Sequence, residues 1–420
     1  MNFQPPSNSL TKRDYQFIAL VTILFLIISA GLVYANLSLP KGGGDFLMHW
    51  VASRGFIFER VDPYSGQIPT QVQELVYDDP AGAGEEPYIL DTPFHLLLLY
   101  FPTALLSDPD IVRAIYTLIL ELALFALAWL SLRLTEWETP RWFVPFFLAF
   151  CVFNFYSFQG ILDANPVLLL ALLYAGILLG LRFDQDEFVG ALMAFSMYYW
   201  EVGLPFLLLV AWRSYKEGRV RVLAGFFMIS FTLLAVSFLV YPNWFIPYLR
   251  AGMNNLRADF GFTVFESMGN LYPSYGGILA WAVVAILILA LGYEWSAFNV
   301  EDERRFYWLS GLLLAVPPLL GFRTELEHLA VLSIPLALVF AIVHDRWSRH
   351  GGILTFLLLL VIFGVPWALY LFVLPLGVFP VQDVLFLFPP LFTVLGLYWI
   401  RWWALRPPRV WADLATKRSS

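Results

Sequence analysis

Apolar runs recur from one end of this sequence to the other, at 15–35, 110–132, 142–158, 165–181, 187–212, 220–241, 272–293, 304–321, 328–344, 353–376 and 383–404. Crossing the hydrocarbon core of a bilayer takes about 20 residues of helix. A chain inside it must pair its own backbone polar groups, which only helices and closed barrels do. These runs are too long and too continuously apolar for barrel strands. The expected fold class is therefore all-α: a single polytopic integral membrane domain, 1–420, with roughly 10–12 transmembrane helices.

Composition agrees. Hydrophobic residues make up 60% of the chain and charged residues 14%, against about 45–50% and 25% in soluble domains. Aromatic residues reach 18%, with 16 Trp, which suits rings seated at the headgroup level. The formal net charge of −7 says little about partners, because charge placement decides more than charge sum here. No basic stripe exists outside short loops, so nucleic acid is excluded as a partner. The single cysteine, Cys151, has no intramolecular disulfide partner. Lys12 and Arg13 precede the first run, which at about 21 residues exceeds the core of a cleavable signal and is expected to remain as a helix.

Two segments set the topology. The stretch from Pro93 to Leu106 is too short to cross. The run 187–212 is interrupted by Glu201, Gly203 and Pro205, which fits two half-depth helices forming a re-entrant hairpin better than one crossing. With the N-terminus cytoplasmic, the inside segments then carry Arg133 to Arg141, Arg182, the cluster Arg213, Lys216, Arg219 and Arg221, Arg304 and Arg305, Arg346 and Arg349, and the 405–420 tail. That satisfies the positive-inside rule and predicts a multi-pass plasma-membrane protein with both termini cytoplasmic. The outside segments are 36–109, 159–164, 242–271, 322–327 and 377–382. No internal repeat is visible, against a carrier built from inverted halves.

The long outer loop, 36–109, carries the most chemistry. Lys41-Gly42-Gly43-Gly44-Asp45 reads as a flexible lead-in, and Asp45 to Arg60 has helical period. Asp45, His49 and Ser53 fall at i, i+4 and i+8, one polar stripe on a helix expected to lie in the membrane interface. Two readings stand side by side: Asp45 caps the helix, or the stripe faces a substrate. Downstream, Asp91 and His95 are again four apart at a helix entrance. Glu121 lies mid-span, where a charge costs about 2.5–3.5 kcal/mol and calls for a partner. Glu201 sits at the hairpin turn beside Tyr198, Tyr199 and Trp200. Asp163 and Asn165 open a helix, where capping accounts for them. Arg323 pairs with Glu325 or Glu327, or else joins His328 in holding an anionic headgroup; Arg250 and Arg257 add to that positive field. No P-loop, metal-type His/Cys spacing or G-x-S-x-G elbow is present.

The order of these motifs resembles the C superfamily of membrane glycosyltransferases, and more narrowly glycosyltransferase family 87, the polyprenol-phosphate-dependent mannosyl- and arabinofuranosyltransferase-like proteins. Gly44-Asp45-Phe46-Leu47-Met48-His49-Trp50 is similar to that family's Asp-Phe-x-x-Tyr opening. Asp62-Pro63-Tyr64 looks like its Pro-Tyr, and Thr92-Pro93-Phe94 with Leu96 to Leu106 like its Tyr-Pro-Pro-led segment. Gln159-Gly160 with Asn165-Pro166 is similar to its Gly-Gln-x-Asn element in altered order. Glu327-His328-Leu329 stands where the family often has a His. The chain departs from the family at the hairpin, where Tyr199, Trp200 and Glu201 replace a Lys, and in the reduction of Pro-Pro to Thr92-Pro93.

The resemblance implies a transferase moving a hexose or pentose from a polyprenyl-phosphate sugar donor to a lipid or glycan acceptor on the outer face. Asp45 would be the base. Arg323, His328 and Arg257 would hold the donor phosphate, and His49, Asp91, His95, Glu201, Asp163 and Asn165 would line the acceptor side. Carboxylates such as Asp45 and Asp91 are competent divalent-metal ligands, but the resemblance implies a mechanism with no metal and no cofactor. Two other readings fit the same sequence: a catalytically silent relative that binds lipid-linked sugar, and a lipid or sugar transporter or flippase.

Overall fold

The computed structural model describes residues 12–39, 42–82, 85, 87–137, 139, 143–258, 261–347, 350–377 and 379–405, without the side chains of 12–21 and 255–258. They form α1 (Lys12–Leu37), α2 (Gly44–Arg54), α3 (Gln67–Tyr77), α4 (Phe94–Leu97), α5 (Pro109–Leu134), α6 (Phe143–Phe153), α7 (Phe155–Leu162), α8 (Val167–Arg182) and α9 (Asp186–Phe195). Then come α10 (Trp200–Lys216), α11 (Val220–Val240), α12 (Phe245–Ala258), α13 (Val264–Leu271), α14 (Gly276–Ser296), α15 (Glu303–Ala315), α16 (Ser333–Arg346), α17 (Gly351–Ala368) and α18 (Val381–Leu405).

The long helices sort by what covers them. In α5, α16 and α18 more than half of the apolar window is buried by protein, but in α11, α14 and α17 only about a fifth is. Phe231, Leu239, Ile278, Leu289 and Leu360 of that outer set are exposed. So much contiguous apolar surface on a ring of helices calls for lipid around it, and the chain is a multi-pass, all-helical membrane bundle.

Among the described residues, seven helical stretches are long and apolar enough to cross, with Asp186–Lys216, which holds both α9 and α10, counted as one; there are eight if the bent pair α6 and α7 is one span. The sequence predicts more, and the shortfall has physical causes. Helix α8 is only 16 residues. Helix α15 opens with Glu303, Arg304 and Arg305, and is followed at Pro317 by a 3-10 turn that extends its path. Both still run from one end of the bundle to the other, as the contacts at the two ends establish.

At one end, Arg182 pairs with Glu136, Arg219 Nε donates to Asp186 at 2.8 Å, and Arg213 lies over Phe306 at 4.1 Å. Arg401 grips Glu294 with two bonds of 2.7 and 3.0 Å, and Trp347 meets Trp399 and Trp403. At the other end, Arg113 donates to the Gly42 carbonyl and Asn165 reaches Asp45. Phe262 and Thr324 form an antiparallel bridge, and Asn270 donates to Asp383. The described loops thus gather into the same two groups that the charge pattern separates. Midway, Asn36 of α1 donates to Glu121 of α5 at 3.4 Å, the partner a carboxylate at that depth requires.

The chain reverses direction between α9 and α10, with α9 packed on α8 and α11 and α10 on α15 and α11. A straight helix from residue 186 to 216 would hold its ends about 45 Å apart, yet Asp186 bonds Arg219, three residues past the end of α10. The reversal falls in the 3-10 turn Ser196–Tyr199. By helical rise α9 is about 15 Å and α10 about 25 Å, so the first arm is of the half-depth length expected and the second is longer. Gly190 lets α9 touch α11: a Cβ there would stand 2.3 Å from the Val222 carbonyl.

The outer segment also departs from expectation. Every residue of α2 from Gly44 to Ser53 is buried, so α2 is covered on all sides, roofed by α3 and residues 94–105, and presents no open polar face. The glycine run before it is packed: Gly43 adopts φ 78° with Arg113 against it, where a Cβ would meet the Arg113 Cδ at 2.7 Å. The apolar stretch from Phe94 stays at this end as α4 and a 3-10 turn through Leu105, tied to α2 by Trp50 donating to the Leu106 carbonyl.

Candidate functional site

Asp45 lies in the first turn of α2, where unpaired helix N–H groups favour a negative charge. The N-cap is Gly43, with no side-chain cap bond, and the Asp45 carboxylate instead accepts from Asn165 Nδ2 at 2.6 Å. Asp45 is therefore a buried carboxylate held by an amide, not the cap of its helix. Asn165 serves two purposes. A left-handed turn at Ala164 separates α7 from α8, and Asn165 Oδ1 accepts from the Val167 N–H at 2.9 Å. Its amide is left to donate to Asp45 and, at 3.4 Å, to Glu327.

One helical turn on, His49 Nδ1 donates to the Asp45 carbonyl at 2.5 Å. That fixes Nε2 as an acceptor, and it meets Thr92 Oγ1 at 2.8 Å and the Tyr198 hydroxyl. The ring stacks on Tyr100 at 4.6 Å. Burial pushes the imidazole down to about 4, so it is neutral at pH 7. His49 is a buttress behind Asp45 that fastens α2 to the hairpin tip; it does not line the open space.

That space is a cleft of about 450 Å³. Asp45, Met48 and Asp91 form one side, and Tyr199, Trp200 and Glu201 of the hairpin tip form another. The segment from Gly321 to Glu325, with His328, completes it. His328 packs its ring on Tyr199 at 4.7 Å. Its Nδ1 accepts from the Glu325 N–H at 3.4 Å, and its Nε2 is 3.6 Å from Glu325 Oε2. Asp163 stands just behind, its carboxyl pushed up to about 7 by burial and by the negative charge of Glu327. The carboxylate oxygens of Asp45, Glu325 and Glu327 come within 4.8 Å of one another.

Of the residues singled out from sequence, Asp45, Asp91, Glu201, Arg323 and His328 meet at this cleft, with Asn165, Asp163 and His49 directly behind it. His95 is not brought in. Its ring turns to Trp244 at 5.9 Å, so the Asp91–His95 spacing reports a helix entrance only. Arg250 borders a neighbouring cleft of about 510 Å³ lined by Asp62 and Tyr64. The Arg257 side chain falls outside the described residues.

Sequence reasoning underrated three groups. Glu325 or Glu327 is expected as a partner of Arg323; Glu327 also accepts from Asn165 at 3.4 Å. Tyr198 passed as an aromatic beside Glu201, yet it joins His49, Thr92 and Tyr100. The available signal was three aromatic residues at the break of an apolar run. No family model and no solved structure matches this chain.

Proposed function

We propose that this protein is a membrane glycosyltransferase of the C-superfamily type. It transfers a hexose or pentose from a polyprenyl-phosphate sugar donor to the hydroxyl of a lipid or glycan acceptor. The observation that carries this reading is a buried carboxylate, Asp45, held by Asn165 at the wall of a cleft whose opposite side offers Arg323 and His328. The basic end is taken as cytoplasmic, which puts the cleft on the outer face of the plasma membrane, with α9 and α10 as a re-entrant hairpin whose tip closes it.

The chemistry asked of such a site is modest. The acceptor oxygen attacks the anomeric carbon in line as the bond to the phosphate oxygen breaks, inverting the centre. The polyprenyl phosphate leaves with the bonding electrons and needs no proton near neutral pH. Asp45 takes the acceptor hydroxyl proton, a contribution of about 10²–10⁴-fold in rate. Arg323 and the His328 Nε2–H meet the charge growing on the phosphate. Glu201 and Asp91 are placed to orient sugar hydroxyls.

A transporter or flippase would need a polar route reaching both ends. At the basic end the buried carboxylate Glu294 is closed off by Arg401 and Arg305, which favours a one-sided cleft. The test is sugar transfer by the purified protein from a panel of radiolabelled polyprenyl-phosphate sugars, with Asp45→Ala beside wild type. Transfer lost in a folded variant supports enzyme class and base together. Donor bound and never turned over by wild type, across a range of acceptors, makes it a silent binder.

A further inference from the structure

Carboxyl groups crowd the cleft. Among the described residues Asp45, Asp91, Glu201 and Glu325 line it together with the guanidinium of Arg323, and Glu327 and Asp163 stand immediately behind. Like charges packed this closely repel unless protons or a cation come between them. Three of these carboxylates, Asp45, Glu325 and Glu327, converge closely enough for one ion to reach an oxygen of each after small side-chain rotations. The Asn165 amide, bonded to both Asp45 and Glu327, sets the angle of two of the three.

A second observation comes from a side chain outside the cluster. His328 is only 5% exposed, borders the same cleft, and its Nε2 has no hydrogen-bond partner. Because Nδ1 accepts from the Glu325 N–H, Nε2 carries the proton. A buried N–H without an acceptor is costly, and this one sits 3.6 Å from a carboxylate of the cluster. An oxygen carried by an ion at that cluster would satisfy it.

We propose that Asp45, Glu325 and Glu327 bind one hard divalent cation, Mg²⁺ or Mn²⁺, with His328 Nε2–H donating to an oxygen the ion carries. An all-oxygen ligand set with open positions suits these ions, which keep sites for water or phosphate. The cation site stands on the side chains alone. Its role as counter-charge to the donor phosphate rests on the transferase reading. A metal-held Asp45 is a weaker base, and the cation offsets this by drawing charge from the departing phosphate.

The test is Mn²⁺ titrated into the purified full chain in detergent, with the free-ion signal followed by electron paramagnetic resonance. One Mn²⁺ per chain is expected, weakened by about tenfold or more in a Glu325→Gln/Glu327→Gln double variant. Glu187→Gln, at the opposite end, should bind as wild type does. If the double variant does not fold, Glu325→Gln alone carries the comparison. Folded wild type taking no Mn²⁺ at about 1 mM, or a folded variant binding it equally well, would overturn the site. Full-rate transfer in the presence of a chelator would remove the phosphate role and leave the transferase reading intact. Bound Mn²⁺ with no donor used would remove the transferase reading, and the phosphate role with it, and leave the cation site standing.

Discussion

The two ends of this bundle treat buried carboxylates in opposite ways. At the basic end Glu294, 2% exposed, is gripped by two bonds from Arg401 and approached by Arg305 at 3.8 Å. Charge is matched there, every oxygen is occupied, and the arrangement ties α14 to α15 and α18. At the cleft end Asp45, Glu325, Glu327 and Asp163 crowd together, with Arg323 the described guanidinium lining the space between them. Crowding like charges is less favourable than pairing opposite ones, although even a matched buried pair carries a desolvation cost. The carboxylates of the cleft therefore contribute less to folding than Glu294 and its arginines do.

Substitutions can break that comparison. The largest expected effect is Asp45→Asn, which keeps a polar partner for Asn165 and should lower sugar transfer by about 10²–10⁴-fold with little change in thermal stability; unchanged transfer would dismiss Asp45 as the base. Glu294→Ala should do the opposite. Leaving Arg401 and Arg305 without their carboxylate should cost about 3 kcal/mol, the low end for a broken buried pair because Arg401 is partly exposed. Transfer per folded molecule should be unaffected, and an activity loss larger than the folded fraction explains would refute this division of labour.

His49 sharpens the contrast through pH. Its folded value of about 4 lies below the ordinary 6.5, so between those values the unfolded chain binds more protons than the folded one. Its stabilising contribution is complete above about pH 6.5 and is lost as the pH falls towards 4, by up to about 3 kcal/mol. Melting temperatures from pH 7 to 4.5 should show this slope in wild type and a shallower one in His49→Gln; identical slopes would mean that His49 titrates elsewhere. Smallest is Gly190→Ala, whose added carbon presses on the Val222 carbonyl. It should cost about 1–3 kcal/mol and loosen the hairpin from α11, read as faster proteolysis of the 196–200 turn. A wild-type rate of cleavage would show that α9 and α11 adjust without cost.

The architecture was legible wherever hydrophobicity acts locally. Long runs such as 220–241 are helices within a residue or so of their expected ends; the chain turns in Ser196–Tyr199, and Glu201, Gly203 and Pro205, expected as the break, lie inside α10. What the local pattern hid were contacts made across the chain. The polar stripe of α2 suggests an amphipathic helix, but its His49 is buried, with Thr92 and Tyr198, far away in sequence, supplying hydrogen bonds that replace water. Asp45 stood out by its spacing to His49, yet its amide partner is 120 residues on, and nothing near Asn165 distinguishes an ordinary helix entrance from this one. Asp91 and His95 share the same spacing without sharing a site, so an i, i+4 polar pair is only as informative as the wall it faces.

The cleft draws Asp45 from before α5, Tyr199 from the hairpin and His328 from the start of the helical stretch that becomes α16. A ribosome delivers these in order, and the last arrives roughly 280 residues after the first, on the order of tens of seconds at ordinary synthesis rates. No shorter product of the same message contains a complete cleft, whichever helices it has already inserted. Asp45 thus waits beside an unfinished wall through most of the protein's birth, and the site is assembled only as the late loop from Gly321 to His328 settles into place.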